Sequence, residues 1–269
     1  MGAPEPKVTT ETLRQKKARG EPIVVLTAYD FTLGAICDQA GVDVVLVGDS
    51  VATVMQGHDT TVTVTLEQML YHCELVARAC KRALVVGDMP FLSYQVSVED
   101  ALRNAGRFLK EARVEAVKLE GGRRVLPAVE SLVAAGIPVM GHLGLTPQSI
   151  HQFGSYRTRG SDSDEAQRIK EDAQALAAAG AFALVLEKVP AALAREVTAG
   201  LPIVGIGIGA GVHCDGQVLV SYDMLGLFTK WKPRFARRYA ELGTTAAGAI
   251  ERYCEDVRAR RFPNEGESY

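Results

Sequence analysis

The sequence predicts one α/β domain folded as a (β/α)8 barrel of the TIM type. Three observations carry that expectation. Ala-Gly repeatedly closes an apolar helical run just before a short Val/Ile-rich segment, in QAGVDVVLVGDS, AAGIPVMGHLG, AAGAFALVLEKV and TAGLPIVGIGIG. Strand and helix patterns alternate about eight times, which builds a parallel sheet. Many strand segments end in a polar or charged residue: Asp30, Asp49, Asp88, Glu120, His142 and Glu187. An open doubly wound sheet gathers its ligand at one switch point. A closed barrel brings every C-terminal strand end to one mouth, so chemistry spread from residue 49 to residue 187 favours closure.

The elements follow in order. PIVVLTAYD, ALVVGDMP and AVKLEGG read as further strands. Glycine just past a helix end suits a left-handed cap. Pro138 and Pro202 fall where strands begin and a missing N–H does little harm. Thr65-Leu66-Glu67-Gln68 and Ser97-Val98-Glu99-Asp100 fit capping boxes opening two helices. In DEAQRIKEDAQALAAAG, the residues Ala166, Ile169, Ala173, Leu176 and Ala177 form one apolar stripe. GIGIGAG resembles a dinucleotide fingerprint, but Ala210 and Val212 stand where a third glycine is needed. CDGQVLV then reads as turn and strand rather than helix, so a glycine-rich loop giving a substrate close access is expected instead. The basic run KWKPRFARRYAELG (230–243) reads as a solvated helix face. No linker or composition break appears. The expected division is an N-terminal extension packing on the barrel (1–20), the barrel (21–262) and a C-terminal tail (263–269).

The chain has 269 residues, which one barrel of about 250 would nearly use up. A net charge of −2 gives no field favouring nucleic acid or an anionic membrane. No apolar run approaches the roughly 18 residues that span a bilayer. The polar N-terminus lacks a secretory h-region, and Pro6 breaks the myristoylation pattern that Met1-Gly2 begins. Five scattered cysteines with no C-x-x-C argue for a reducing compartment, so a cytoplasmic location is expected.

AVKLEGG (116–122) poses the central question, since it reads as a core strand yet carries two opposite charges. Alternate residues share a face, so Val117 and Leu119 should face the helices while Lys118 and Glu120 face the barrel interior. Asp49, Asp88 and Glu120 lie on consecutive strands. Three converging carboxylates repel one another unless a cation sits among them, and hard oxygen ligands suit Mg²⁺. A single strand-end aspartate more often caps a helix or pairs with a lysine; three in succession, each expected in the same register of its strand, favour metal. Lys118 is a cation for a substrate carboxylate or oxyanion, a structural ion-pair partner or, ranked third, a Schiff-base lysine. His142 is as readily structural as hydrogen-bonding to a ligand. Glu187 could act as general base, or be an exposed acid paired with Lys188.

LTAYD, LVGDS, QGHDTT, GDMPF, VKLEGG, GHLGLTPQS, LVLEKVP and GIGIGAG…CDGQVLV occur in this order along residues 26–220. Together they closely resemble the ketopantoate hydroxymethyltransferase family, over nearly the whole chain apart from the first twenty residues and the last few. The resemblance implies a barrel of the phosphoenolpyruvate/pyruvate type, and a decamer built as a pentamer of dimers. It implies Mg²⁺ held through Asp49, Asp88 and, directly or through water, Glu120. It implies a keto acid contacted by Asp49, Ser50, Asp88, Lys118 and His142, and Glu187 as general base. The implied reaction joins 3-methyl-2-oxobutanoate to the one-carbon unit of 5,10-methylenetetrahydrofolate, giving ketopantoate for pantothenate biosynthesis. Lys188, beside the base, and His213, in a turn, depart from the expected pattern. Lys188 could lower the basicity of Glu187. The alternatives are a Mg²⁺-dependent keto-acid lyase or mutase of the same barrel superfamily, and a non-catalytic organic-acid-binding barrel. The K-K-C-G-H run of isocitrate-lyase relatives does not occur here.

Overall fold

The computed structural model describes residues 6–269; residues 1–5, including the Met1-Gly2 pair, lie outside the described residues. Eight parallel strands close into a barrel in chain order. They are β1 (Ile23–Thr27), β2 (Val44–Val47), β3 (Leu84–Asp88), β4 (Ala116–Glu120), β5 (Val139–Gly144), β6 (Ala183–Glu187), β7 (Val204–Ile208) and β8 (Gly216–Leu219). Closure runs through the pairing of β1 with β8, where Ile23 meets Gly216. The chain forms two compact units: Met1–Leu219, which holds every strand, and Val220–Tyr269.

In the first unit, α1 (Thr10–Arg19) precedes the barrel, capped by reciprocal Thr9–Thr12 bonds. Its Lys16 Nζ lies 2.7 Å from Asp43 Oδ2 and its Lys17 Nζ 2.7 Å from Asp215 Oδ2. Those acids stand just before β2 and β8. The helix therefore lies across the N-terminal ends of the strands, away from the mouth. Asp43 is buried and also accepts from the Val24 N–H at 3.0 Å and from Arg82 Nη2 at 3.3 Å.

The connecting helices are α2 (Phe31–Gln39), α3 (Val51–Val54), α4 (Leu66–Ala79), α5 (Val98–Lys110), α6 (Leu126–Ala134), α7 (Ile150–Phe153), α8 (Ser163–Ala178) and α9 (Ala191–Gly200). The Thr65–Gln68 capping box opens α4 with both of its bonds. At α5 only one arm forms: Ser97 accepts from the Asp100 N–H, while the Asp100 carboxylate pairs with Arg103. The shorter aspartate side chain turns outward to the guanidinium instead of back to the cap. Asp30 caps α2 by accepting from the Leu33 N–H at 2.8 Å, so this strand-end acid is a helix cap. On α8 the expected stripe buries Ile169, Ala173 and Leu176, with Ala166 and Ala177 half-buried.

Residues 209–215 join β7 to β8 as turns, with left-handed Gly209 and Gly211, so the strand–helix alternation is replaced there by a short return. The glycine-rich segment thus lies within β7 and this loop, as CDGQVLV suggested. At Gly87, just before Asp88, a Cβ would stand 2.5 Å from the Phe108 ring, so the missing side chain lets α5 lie directly on β3.

The second unit contains α10 (Ser221–Met224) and α11 (Leu242–Arg258). The basic run 230–243 is solvated, with Trp231, Arg234 and Arg237 exposed, but it is not the helix expected: helix begins only at Leu242. Pro233 lacks an N–H donor and restricts the residue before it, which disfavours helix through the run. Among the described residues no helix is long and apolar enough to cross a membrane.

Asp43 is the buried junction of α1, β1 and the approach to β3. Asp43→Ala should cost about 1.5–3 kcal/mol through loss of its charge-assisted hydrogen bonds, read as a lower urea midpoint with an unchanged slope.

Candidate active site

The charges of AVKLEGG are satisfied by neighbours on adjacent strands. Strand pairing sets Asp88 across from Lys118, Glu120 across from His142, and Gly144 across from Glu187. Lys118 and Glu120 are 3% and 1% exposed, so their partners must replace water. Lys118 Nζ lies 2.7 Å from Asp88 Oδ1, 3.6 Å from Glu120 Oε1 and 3.2 Å from His142 Nδ1. His142 Nδ1 is also 3.2 Å from Glu120 Oε1, and its Nε2 is 3.4 Å from Glu187 Oε2. One chain of charge, Asp88–Lys118–Glu120–His142–Glu187, buried except at half-buried Glu187, therefore crosses four strands.

Asp49 joins this chain through its backbone N–H, which donates to Asp88 Oδ2 at 3.1 Å. The three acids do not share one register, contrary to the expectation. Asp88 and Glu120 end their strands, but Asp88 is level with Lys118, and Asp49 lies beyond the end of β2. Strand stagger in a closed barrel brings such offset positions together. Ser50 follows Asp49 at the start of α3, and its Oγ is 2.8 Å from the hydroxyl of buried Tyr29. Glu187 is not held by Lys188. The Lys188 backbone is left-handed, at φ 46°, and its ammonium donates to the Tyr156 carbonyl, so the neighbouring cation points elsewhere. A non-glycine residue in that region carries local strain of about 1–3 kcal/mol.

The two glycines of the motif have steric causes. Gly121 adopts φ +123°, and a Cβ on Gly122 would stand 1.8 Å from Asp172 Oδ2 on α8. The chain must leave β4 sharply here and pass close against a carboxylate.

The charge balance follows from burial. Burial pushes Lys118 down, but the charges of Asp88, Glu120 and Asp49 outweigh it and hold the ammonium above its ordinary range. Burial drives Asp49 well above the usual carboxylate range, and the like charges of Asp88 and Glu120 add to the effect. Asp88 is also raised, because burial and Glu120 outweigh Lys118. Glu120 is lowered: Lys118 and His142 overcome the penalty of burial. For His142, burial and Lys118 oppose the proton, yet Glu120 and Glu187 raise its pKa to about 9.

Two residues of the cluster carried no charge to reveal them. Gln148 and Tyr94 are 4% and 3% exposed. Gln148 Nε2 donates to Asp49 Oδ2 at 3.0 Å and to the Met89 carbonyl at 2.9 Å, and its backbone N–H donates to Glu120 Oε2 at 3.0 Å. Tyr94 donates its hydroxyl to Gln148 Oε1 at 2.6 Å and accepts the Glu120 N–H at 3.0 Å. Gln148 lies within GHLGLTPQS, but a glutamine between Pro147 and Ser149 gives no sequence signal of its own.

Among the described residues, no three His, Cys, Asp or Glu side chains form a ready metal cage. Mg²⁺ does not require one, since it commonly takes one or two carboxylates and completes its octahedron with water or substrate oxygens. Buried Asp88 Oδ1 and Glu120 Oε1 make ionic contacts but no aligned hydrogen bond. With the mutually repelling acids around Asp49, this leaves hard oxygen donors whose charge a cation would relieve. The donor set fits Mg²⁺.

The ketopantoate hydroxymethyltransferase family model matches residues 7–265. The 3-methyl-2-oxobutanoate hydroxymethyltransferase of Salinibacter ruber is 57% identical over 264 residues, covering 98% of this chain and 100% of that one. The same-named protein of Prosthecochloris aestuarii is 56% identical over 268 residues, covering 98% and 97%. The fold is similar to 2,3-dimethylmalate lyase, a member of the PEP mutase/isocitrate lyase superfamily, with TM-score 0.58 and 17% identity over 97% of this chain and 91% of the other. It is also similar to phosphonopyruvate hydrolase solved with oxalate and Mg²⁺, with TM-score 0.60 and 11% identity over 96% and 92%.

The imidazole of His142 should titrate near pH 9 in metal-free protein and move down in Glu120→Gln, as read by ¹⁵N-edited NMR. A raised folded value means this group stabilises the fold fully below about pH 6.5. That contribution is lost as pH rises through about 9.

Proposed function

The chain belongs to the ketopantoate hydroxymethyltransferase family, and we propose how its strand-end residues divide the work of hydroxymethyl transfer to 3-methyl-2-oxobutanoate, the step that yields ketopantoate for pantothenate. The assignment is carried by the chain Asp88–Lys118–Glu120–His142–Glu187, whose contacts run from 2.7 to 3.6 Å.

The hydrogen on carbon 3 of the keto acid is weakly acidic, so a carboxylate can remove it only if the developing enolate charge is stabilised. Mg²⁺, when bound through Asp49, Asp88 and, directly or through water, Glu120, supplies Lewis-acid polarisation of the keto oxygen. Lys118 adds fixed positive charge where the substrate oxygens gather, and it needs no reorganisation because Asp88 already holds it. Ser50, oriented by Tyr29, offers a hydrogen bond to the keto acid. Asp49 and Asp88 border the same substrate position.

Glu187 is the general base. It lies on β6, across the barrel from β2, so it faces the substrate from the side opposite Asp49. His142 lies between it and Glu120: its Nε2 is 3.4 Å from the Glu187 carboxylate, an ionic contact with no aligned hydrogen bond. The enolate carbon then attacks the methylene carbon of the iminium formed when one carbon–nitrogen bond of 5,10-methylenetetrahydrofolate, the proposed donor, opens; water replaces the remaining carbon–nitrogen bond, giving the hydroxymethyl product and free tetrahydrofolate.

The lyase or mutase alternative shares this barrel and this need for enolate stabilisation, but the family's reaction is transfer. Assembly as a decamer of five dimers, and residence in the cytoplasm, are parts of the same reading supported by the family resemblance.

Glu187→Gln should keep keto-acid and Mg²⁺ binding but lose most exchange of the carbon-3 hydrogen in D₂O, followed by proton NMR. Near-normal exchange would sink the assignment of the base. Because Asp49 holds its proton far above the usual carboxylate range, cation uptake should release a proton. Mg²⁺ affinity should therefore rise with pH by up to about tenfold per unit, and calorimetry in buffers of different ionisation enthalpy should show the release.

A further inference from the structure

The three acids share a pattern. Each commits one oxygen to an uncharged N–H donor: Asp49 Oδ2 to Gln148 Nε2, Asp88 Oδ2 to the Asp49 N–H, and Glu120 Oε2 to the Gln148 N–H. This leaves Asp49 Oδ1, Asp88 Oδ1 and Glu120 Oε1 for charged partners. Two of the three neutral donors belong to Gln148.

The orientation of the Gln148 amide is dictated by its surroundings. Its Nε2 faces two acceptors, Asp49 Oδ2 and the Met89 carbonyl, while its Oε1 faces the Tyr94 hydroxyl at 2.6 Å and Gln95 Nε2 at 3.3 Å. Turned over, the amide would set oxygen against a carboxylate and a carbonyl, and nitrogen against a donor. The Tyr94 hydroxyl has one hydrogen. The short bond to Gln148 takes it, and its oxygen remains to receive the Glu120 N–H. Tyr94 thereby fixes the amide that fixes Asp49, and also the backbone of Glu120.

We propose that Gln148 and Tyr94 are positioning residues that hold the Asp49 and Glu120 carboxylates in fixed orientations beside the divalent cation and the keto acid. The proposal rests on the assignment of those acids to the metal made above. Neither residue touches the reacting atoms; both act through the ligands. Partners of this kind commonly govern metal affinity by about 10–100-fold.

The test uses Mn²⁺ as a paramagnetic stand-in for Mg²⁺, titrated by EPR into the full chain, with carbon-3 hydrogen exchange as a second readout. The variants are Tyr94→Phe, Gln148→Met, the double variant and Asp49→Asn. Tyr94→Phe changes one atom and keeps the ring in the core, so it remains informative where Gln148→Met fails to fold. The expected result is Mn²⁺ affinity weakened about 10–100-fold in each single variant, with an altered EPR line shape for the bound ion and thermal unfolding of the metal-free chain largely kept for Tyr94→Phe. Because Tyr94 acts on Asp49 through Gln148 and on Glu120 directly, the double variant should be weaker than Gln148→Met, but by less than the factor Tyr94→Phe shows alone. Wild-type Mn²⁺ affinity and line shape in Tyr94→Phe and Gln148→Met, with only stability lowered, would overturn the positioning role while leaving the metal assignment intact. A wild-type chain whose Mn²⁺ binding is absent, or indifferent to Asp49→Asn, would overturn both.

Discussion

The site is organised around one buried ammonium. Lys118 brings a positive charge into a barrel that otherwise gathers carboxylates at its mouth. Its contacts with Asp88 and Glu120 make their burial tolerable, and Glu120, 3.2 Å from His142 Nδ1, continues the chain toward Glu187. A charge pair this deep contributes little net stability, because desolvation cancels most of the attraction, yet losing one member leaves the other exposed to the full penalty. The cluster is best understood as preorganisation: charges already stripped of water and fixed in direction, so that a substrate developing negative charge meets donors that need not move.

This arrangement separates the two ends of the barrel. At the mouth the acids are crowded and incompletely hydrogen-bonded, and burial raises the pKa of Asp49 and Asp88. At the opposite end Asp43 and Asp215 are each matched by a lysine of α1, and Asp43 by Arg82 and a backbone N–H as well. The same residue type thus serves two purposes, set by how fully its partners satisfy it.

Much of this was legible in the sequence, for physical reasons particular to each element. The alternation of Ala-Gly closures with Val/Ile runs specified the strands, and alternation within β4 placed Lys118 and Glu120 inside. Strand-end position alone did not separate Asp30 from Asp49. Both are aspartates after apolar runs, and only the following geometry makes one a helix cap and the other part of the cluster. The fine register of Asp88 against Lys118 depends on barrel stagger, which no local pattern encodes. Gln148 and Tyr94 were hidden because neutral polar residues acquire meaning only from what surrounds them. The 230–243 run is basic and solvated as expected, but Pro233 keeps it from forming the helix.

The latch between α1 and the barrel also imposes an order on assembly. Lys16 reaches a partner 27 residues away, but Lys17 reaches Asp215 across 198 residues of chain. During synthesis α1 leaves the ribosome long before Asp215 exists, and closing so long a loop is entropically costly until other contacts have gathered the strands. The helix made early is therefore secured late: its second lysine finds its acid only once β8 is at hand to close the ring with β1. The bottom of the barrel works as a fastening that registers completion of the sheet, so a nascent chain lacking its last strand carries α1 held by half of its ionic grip.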